Sequence, residues 1–160
     1  VMRAGRHYAQ VTVMSIGDMF VGAIRPGWNV EGGQIALDVD GHCLYDTEDG
    51  LYCSSGYHDW EGRQGTTEGD RIGMLLDLDQ GSMTVYKNDE RLGVMATGLS
   101  GEYSWAVELV MQGASVRIEA AAAPVSPTAE ELARAVAYEA ERVRQRSDSD
   151  EEAYAAYEDY

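Results

Sequence analysis

Three histidines, two cysteines and a surplus of carboxylates are the groups in this chain that could do chemistry, and none falls into a catalytic pattern. His7, His42 and His58 share no metal-ligand spacing. Cys43 and Cys53 sit symmetrically about the turn Thr47-Glu48-Asp49-Gly50, so they could face each other across a hairpin as a disulfide, or stay reduced as in a cytosolic β domain. The disulfide calls for an oxidising compartment that nothing else in the sequence suggests. Asp38-Val39-Asp40 and the group Asp46, Glu48 and Asp49 offer oxygen ligands suited to calcium. Carboxylates in the turns of an acidic protein are ordinary without a metal, however, and Asp77 and Asp79 read as turn-makers. There is no serine nucleophile elbow, no phosphate-cradling glycine loop before a helix and no zinc pattern. The chemistry left is recognition. Trp28, Tyr57 and Trp60 stand among Gly, Ser and Pro with no strand period. Such side chains join a large apolar body to a hydrogen-bonding tip, and serve either as interface anchors or as plugs over an open edge.

The elements that must hold these residues are strands. In Gly69 to Met95, Ile72, Met74, Leu76 and Leu78 alternate with Gly73, Leu75, Asp77 and Asp79, the period of a strand with one buried face. Asp79-Gln80-Gly81-Ser82 turns the chain into Met83 to Lys87, and Asn88-Asp89, both tolerant of positive φ, turn it again into Arg91 to Met95. Gly5 to Ile16 alternates, Gly17-Asp18 turns, and Met19 to Ile24 follows. Arg25 to Gly33 is a loop. Gln34 to Val39, His42 to Tyr45 and Leu51 to Cys53 read as short strands, and Ser54 to Glu68 as a long irregular loop of the kind that is often functional. Tyr103 to Met111, with Trp105 on its core side, and Ala114 to Ala120 close the pattern. Ten short strands with turns every eight to twelve residues predict an all-β, antiparallel two-sheet sandwich.

The composition shifts at Ala120-Ala121-Ala122-Ala123-Pro124. The spacing predicts a sandwich over 1–123, a linker and helix over 124–146, with the helix at Ala129 to Arg146, and a disordered acidic tail over 147–160. Leu132, Val136, Ala140 and Val143 form a narrow apolar stripe for docking on the sandwich or on a partner. Ser147 and Ser149 each precede an acid by three residues, a pattern acidophilic kinases prefer. Net charge is −16 from 28 acidic and 12 basic residues, with −10 up to Pro124 and −6 beyond it. Nucleic acid and anionic membrane are therefore disfavoured, and a neutral or basic partner is favoured. No apolar run approaches the roughly 20 residues of a membrane span. No cofactor is expected, and the opening Val1 suggests a piece of a longer protein.

The run Gly69-Asp70-x-Ile72-Gly73-x-Leu75-Leu76-Asp77-Leu78-Asp79-x-Gly81, followed by Tyr86, Asn88 and Leu92-Gly93, resembles the central signature of the SPRY domain family. Gly5 to Val11, Phe20 to Ala23, Trp105 to Leu109 and Val116 to Ile118 are similar to the family's flanking strands. The chain departs from the pattern at Asp89, where Gly is usual, at Gln10, where Glu is common, and in lacking a first strand before Val1.

The resemblance implies a concanavalin-like jelly roll that works without catalysis, binding a peptide or loop of another protein on a shallow loop-lined face. It places Arg25, Trp28 and Asn29 in one loop of that face, Tyr57, Trp60 and Arg63 in a second, and Met111 and Gln112 beside it. It further implies a cytoplasmic or nuclear monomeric domain that acts as a substrate-recognition or scaffolding part of a larger protein. A lectin-type sandwich stacking sugar on the loop tryptophans is the alternative. On the leading reading, replacing Trp28 or Trp60 removes partner capture and leaves stability almost unchanged.

Overall fold

The computed structural model describes residues 1–15, 17–36 and 39–158, with side chains for all of these except residue 30 and residues 150–158. The strands are β1 (Arg6–Ser15), β2 (Met19–Ile24), β3 (Cys43–Asp46), β4 (Tyr52–Cys53), β5 (Tyr57–His58), β6 (Arg71–Asp77), β7 (Ser82–Lys87), β8 (Glu90–Ala96), β9 (Ser104–Leu109) and β10 (Ser115–Ala120), followed by helix α1 (Ala129–Glu158). They form two antiparallel five-stranded sheets, ordered β10-β1-β6-β7-β8 and β5-β4-β3-β2-β9. Strand alternation builds the core between them. Val11, Ile72, Met74, Leu76, Met83 and Val85 of the first sheet cluster with Val21, Ala23 and Tyr45 of the second.

The predicted one-sided burial of β6 gives way to burial on both faces, since Leu75, Asp77 and Thr84 are all enclosed as well. Two features cover the outer face. Tyr8 lies across Gly73, where a Cβ would stand 2.1 Å from its hydroxyl, and meets Tyr86 edge-on at 5.9 Å. The segment after β10 then crosses the sheet, with the Arg6 guanidinium donating to the Pro124 carbonyl at 3.3 Å and the Ser126 hydroxyl donating to the Asp77 carboxylate. The turns follow local chemistry. Asn88 and Asp89 take φ of 51° and 68°, as a two-residue hairpin with right-handed strand twist requires. At the other turn it is Asp77, rather than Asp79, whose carboxylate accepts the N–H groups of Asp79 and Gln80, both at 3.0 Å, while Asp79 accepts from Gly5.

In the second sheet, Gln34–Ala36 are not strand, and residues 37 and 38 of that predicted strand lie outside the described residues. The missing ladder is supplied by β5, inside the stretch expected to be irregular. The register pairs Leu44 with Cys53, so Cys43 and Cys53 differ in parity and point to opposite faces. Cys43 joins the core between the sheets and Cys53 joins a smaller outer cluster with Phe20, Ala36 and Leu44. The cross-hairpin disulfide is thereby ruled out by register, and both thiols are free and buried.

Helix α1 opens with a capping box: the Thr128 hydroxyl accepts from Glu131 N–H at 3.2 Å, and the Glu131 carboxylate accepts from Thr128 N–H at 2.7 Å. Its first half docks between the outer strands β8 and β5. Glu131 pairs with Arg91 at 2.8 Å, Arg134 with Glu61 at 3.1 Å, the Tyr138 hydroxyl donates to Asp59 at 2.9 Å, and Arg142 lies 3.2 Å from His58 Nδ1. The docked face is largely polar; of the predicted apolar stripe Leu132 is half-buried, whereas Val136, Ala140 and Val143 point away, with Val136 and Val143 more than half exposed. The helix also continues beyond Arg146 to Glu158, where a disordered tail was expected, because neither Gly nor Pro interrupts it. The Ser147 and Ser149 hydroxyls donate to the carbonyls of Val143 and Gln145 one turn back. Residues 159 and 160 of that tail lie outside the described residues.

Contacts of this exposed ionic kind contribute up to about 1 kcal/mol each. The double variant Tyr138→Phe/Arg142→Ala is therefore expected to speed hydrogen exchange across 129–142, leaving β6 and β7 as protected as before. Unchanged exchange in the helix would show that docking rests on other contacts.

Candidate functional site

The residues expected to share one binding face are divided between the two ends of β2. At its C-terminal end, Arg25 is committed within the molecule. Its guanidinium donates to the carbonyls of Ser100 and Glu102 and stacks 4.2 Å from the centre of the Tyr103 ring. Trp28 packs its ring against His42, 5.4 Å between centroids, and against the cluster of Phe20, Ala36, Leu44 and Cys53. Asn29 caps a short 3-10 turn through its side-chain oxygen, which accepts from Glu31 N–H at 3.1 Å. This loop is a packed cover on the outer face of the second sheet. His42 beneath it is buried and kept below its usual pKa, first by desolvation and then by Arg25, so it is neutral, and its Nδ1 accepts from Arg25 N–H at 3.0 Å.

Trp60 is not a loop anchor. It is 4 % exposed, belongs to the main core, and donates its indole N–H to the Gly50 carbonyl at 2.6 Å. The chain beside it passes so close that a Cβ on Gly62 would lie 2.3 Å from the Leu92 carbonyl oxygen and 2.5 Å from the indole ring. The stretch Ser54 to Glu68 is thus tied down along its length. Tyr45 donates its hydroxyl to the Gln64 carbonyl, Lys87 donates to the Gly65 carbonyl at 2.9 Å, and Thr66 bonds Thr47 through both its N–H and its hydroxyl. Arg63 holds the outside of the loop, donating to the Asp49 carbonyl at 3.0 Å and facing Asp59 at 3.7 Å.

The exposed candidates Met111 and Tyr57 lie on opposite edges of the second sheet, after β9 and on β5, and only Met111 lines a cavity. Met111 is 57 % exposed and forms one wall of a cavity of about 200 Å³ whose other walls include Val13, Asp18, Thr47, Glu48 and Thr66. Val110 and Leu109 beside it are about half exposed, and Gln112 continues the rim. Tyr57 lies on the edge strand β5, its ring tilted over Phe20 at 6.2 Å, within electrostatic reach of Asp18, Asp46 and Asp49. Of these acids Asp18 lines the cavity, together with Glu48, while Asp46 is buried; none of the four ion-pairs with a Lys, Arg or His among the described residues. The Glu48 carboxyl is held above its usual pKa chiefly by its hydrogen bond to Asp18, and the Asp46 carboxyl is raised chiefly by burial. No group of three His, Cys, Asp or Glu among the described residues gathers as a metal site, and Asp38 of the other calcium candidate lies outside them. With Trp60 buried and Trp28 packed, no described feature favours the sugar-stacking alternative.

Sequence reasoning named Glu48 only as a possible calcium ligand and missed Asp18 beside it. Their signal was the Gly17-Asp18 turn and the Asp46–Asp49 turn, which the register of β2 on β3 brings together, since Thr47 N–H donates to the Met19 carbonyl at 3.0 Å.

Two predictions follow from this geometry. Trp60→Ala is expected to cost roughly 3–5 kcal/mol in urea unfolding, as for a buried core aromatic, whereas Tyr57→Ala is expected to cost about 1 kcal/mol or less. A carboxyl whose pKa is raised on folding takes up protons as the chain folds, so its penalty is absent at low pH and sets in as pH rises. Glu48→Gln is accordingly expected to raise the melting temperature at neutral pH, a gain that vanishes below the carboxylate range. A gain that persists in acid would assign it to something other than charge.

Comparison with known proteins agrees with the geometry. A family model described as the SPRY domain matches residues 6–122. The crystal structure of the SPRY domain of human HERC1 superposes with a TM-score of 0.64 at 16% identity, covering 74% of this chain and 77% of that one. A crystal structure of a human SPRY domain gives 0.59 at 20% identity, covering 69% and 74%. A search of the curated proteins finds no match. SPRY domains are generally non-catalytic modules that bind other proteins. With its signature on β6 to β8, its two-sheet sandwich and a family match over most of its length, the chain belongs to the SPRY domain family.

Proposed function

We propose that this domain captures an exposed peptide or loop of a partner protein at the Met111 end of the sandwich, as a recognition or scaffolding part of a larger assembly. One observation carries the reading: exposed Met111 lines a cavity of about 200 Å³ whose acids Asp18 and Glu48 ion-pair with no Lys, Arg or His among the described residues. Apolar walls favour burying an aliphatic stem, and the adjacent carboxyls of Asp18 and Glu48 favour a cationic tip. A lysine or arginine side chain has both parts, and an acidic body steers a basic segment toward it. The cavity walls come from strand ends and anchored turns, so little ordering entropy is lost on binding.

A peptide-display screen tests the reading. Selected peptides are expected to carry a basic residue beside an apolar one and to bind less tightly as salt rises. Met111→Asp is expected to weaken them by about tenfold or more, the scale of losing an interface anchor, with the melting temperature kept. Peptides that bind Met111→Asp as well as the native protein would place recognition elsewhere.

A further inference from the structure

The helix leaves its apolar face unused. Docking engages Glu131, Arg134, Ala135, Tyr138 and Arg142, which lie along one side. On the opposite side Ala133, Val136, Ala140, Val143 and Ser147 are all exposed and follow one another at intervals of three, four, three and four residues. That is the a/d spacing of a coiled coil over two heptads, a seam that ends at Ser147 because the next d position in the sequence is Asp150. Beyond Arg142 the described side chains bond only within the helix.

The flanking charges indicate what covers this face. In a parallel pair, the residue before each a position faces the residue five further on in the other copy. Glu139 then faces Arg144 of a second copy, and the sequence repeats the relation one heptad later with the sign reversed, Arg146 against Glu151. Both pairs are of opposite charge in a parallel arrangement of identical helices. The present neighbours of Glu139 and Arg144 are exposed pairs within the helix, to Arg142 at 3.9 Å and Glu141 at 2.7 Å, which exchange at little cost. The docked side points away from the seam, so each sandwich sits outside it.

We infer that α1 pairs with α1 of a second copy of this chain as a parallel two-stranded coiled coil about a two-fold axis along the seam. With alanine and serine at several seam positions and a net charge of −16 on each copy, the dimer is concentration-dependent rather than obligate.

Sedimentation equilibrium of the 160-residue chain over a wide concentration range is the test. A monomer–dimer equilibrium is expected. Val136→Asp/Val143→Asp is expected to abolish it, with the sandwich melting as before because both side chains are exposed. Glu139→Lys and Arg144→Glu are each expected to weaken the dimer about tenfold, and the two together to restore it, since the swap preserves the pairing. A chain that stays monomeric throughout, a dimer that survives Val136→Asp/Val143→Asp, or a charge swap that fails to restore association would overturn the inference. None of these outcomes bears on peptide binding at Met111, which lies on a different part of the fold.

Discussion

One buried hydrogen bond, from the indole of Trp60 to the carbonyl of Gly50, sets the geometry on which the rest of the molecule depends. The connection between β5 and β6 would otherwise run free over the side of the sandwich. A buried indole N–H without an acceptor costs on the order of 1–3 kcal/mol, so the bond to Gly50 fixes where the ring can sit. Once the ring is in the core, the loop must pass over it against the backbone of Leu92, and only glycine at position 62 allows that approach. The loop then brings Asp59 and Glu61 to the edge where α1 docks, and Thr66 to the cavity wall.

The two ends of β2 are consequently different in kind. At the Arg25 end, cation and ring stacking, a cap and a buried neutral histidine hold the loop down against the sheet. At the Met111 end, carboxylates from two turns are brought together with their charges uncompensated. Uncompensated like charge costs stability in the free protein and becomes useful only when something cationic arrives. A packed loop and an open cavity can therefore occupy one sheet without competing, the first serving the fold and the second available for contact.

Helix α1 divides its surface in the same manner. Its docked side is ionic and half wet, so attachment is modest, and its apolar side is left for solvent or for another helix. Such an element extends the domain without adding to its core, which accounts for a sandwich complete in its two sheets before the helix begins.

Much of the fold was legible in the residues. The period of two in β1, β6 and β7, the left-handed pair Asn88-Asp89 and the signature from Gly69 to Gly93 depend on local sterics and spacing, which are properties of the chain alone. Of the candidate residues, Tyr57 was legible as a loop aromatic, Met111 and Gln112 followed only from the family resemblance, and Glu48 read as a possible calcium ligand, whereas the burial of Trp60 and the approach of Asp18 to Glu48 were not legible. A tryptophan between glycines looks the same whether it is an anchor or a plug, and two acids thirty residues apart show nothing of their proximity. The sequence by itself determined the longer strands, their turns, the start of the helix and the surplus of negative charge, because each arises within a few consecutive residues. Only the tertiary structure decided which aromatic was sealed, which face of α1 was docked, that Cys43 and Cys53 point apart, and where the acids converge. Register and packing between distant segments settle those matters, and no local pattern encodes them.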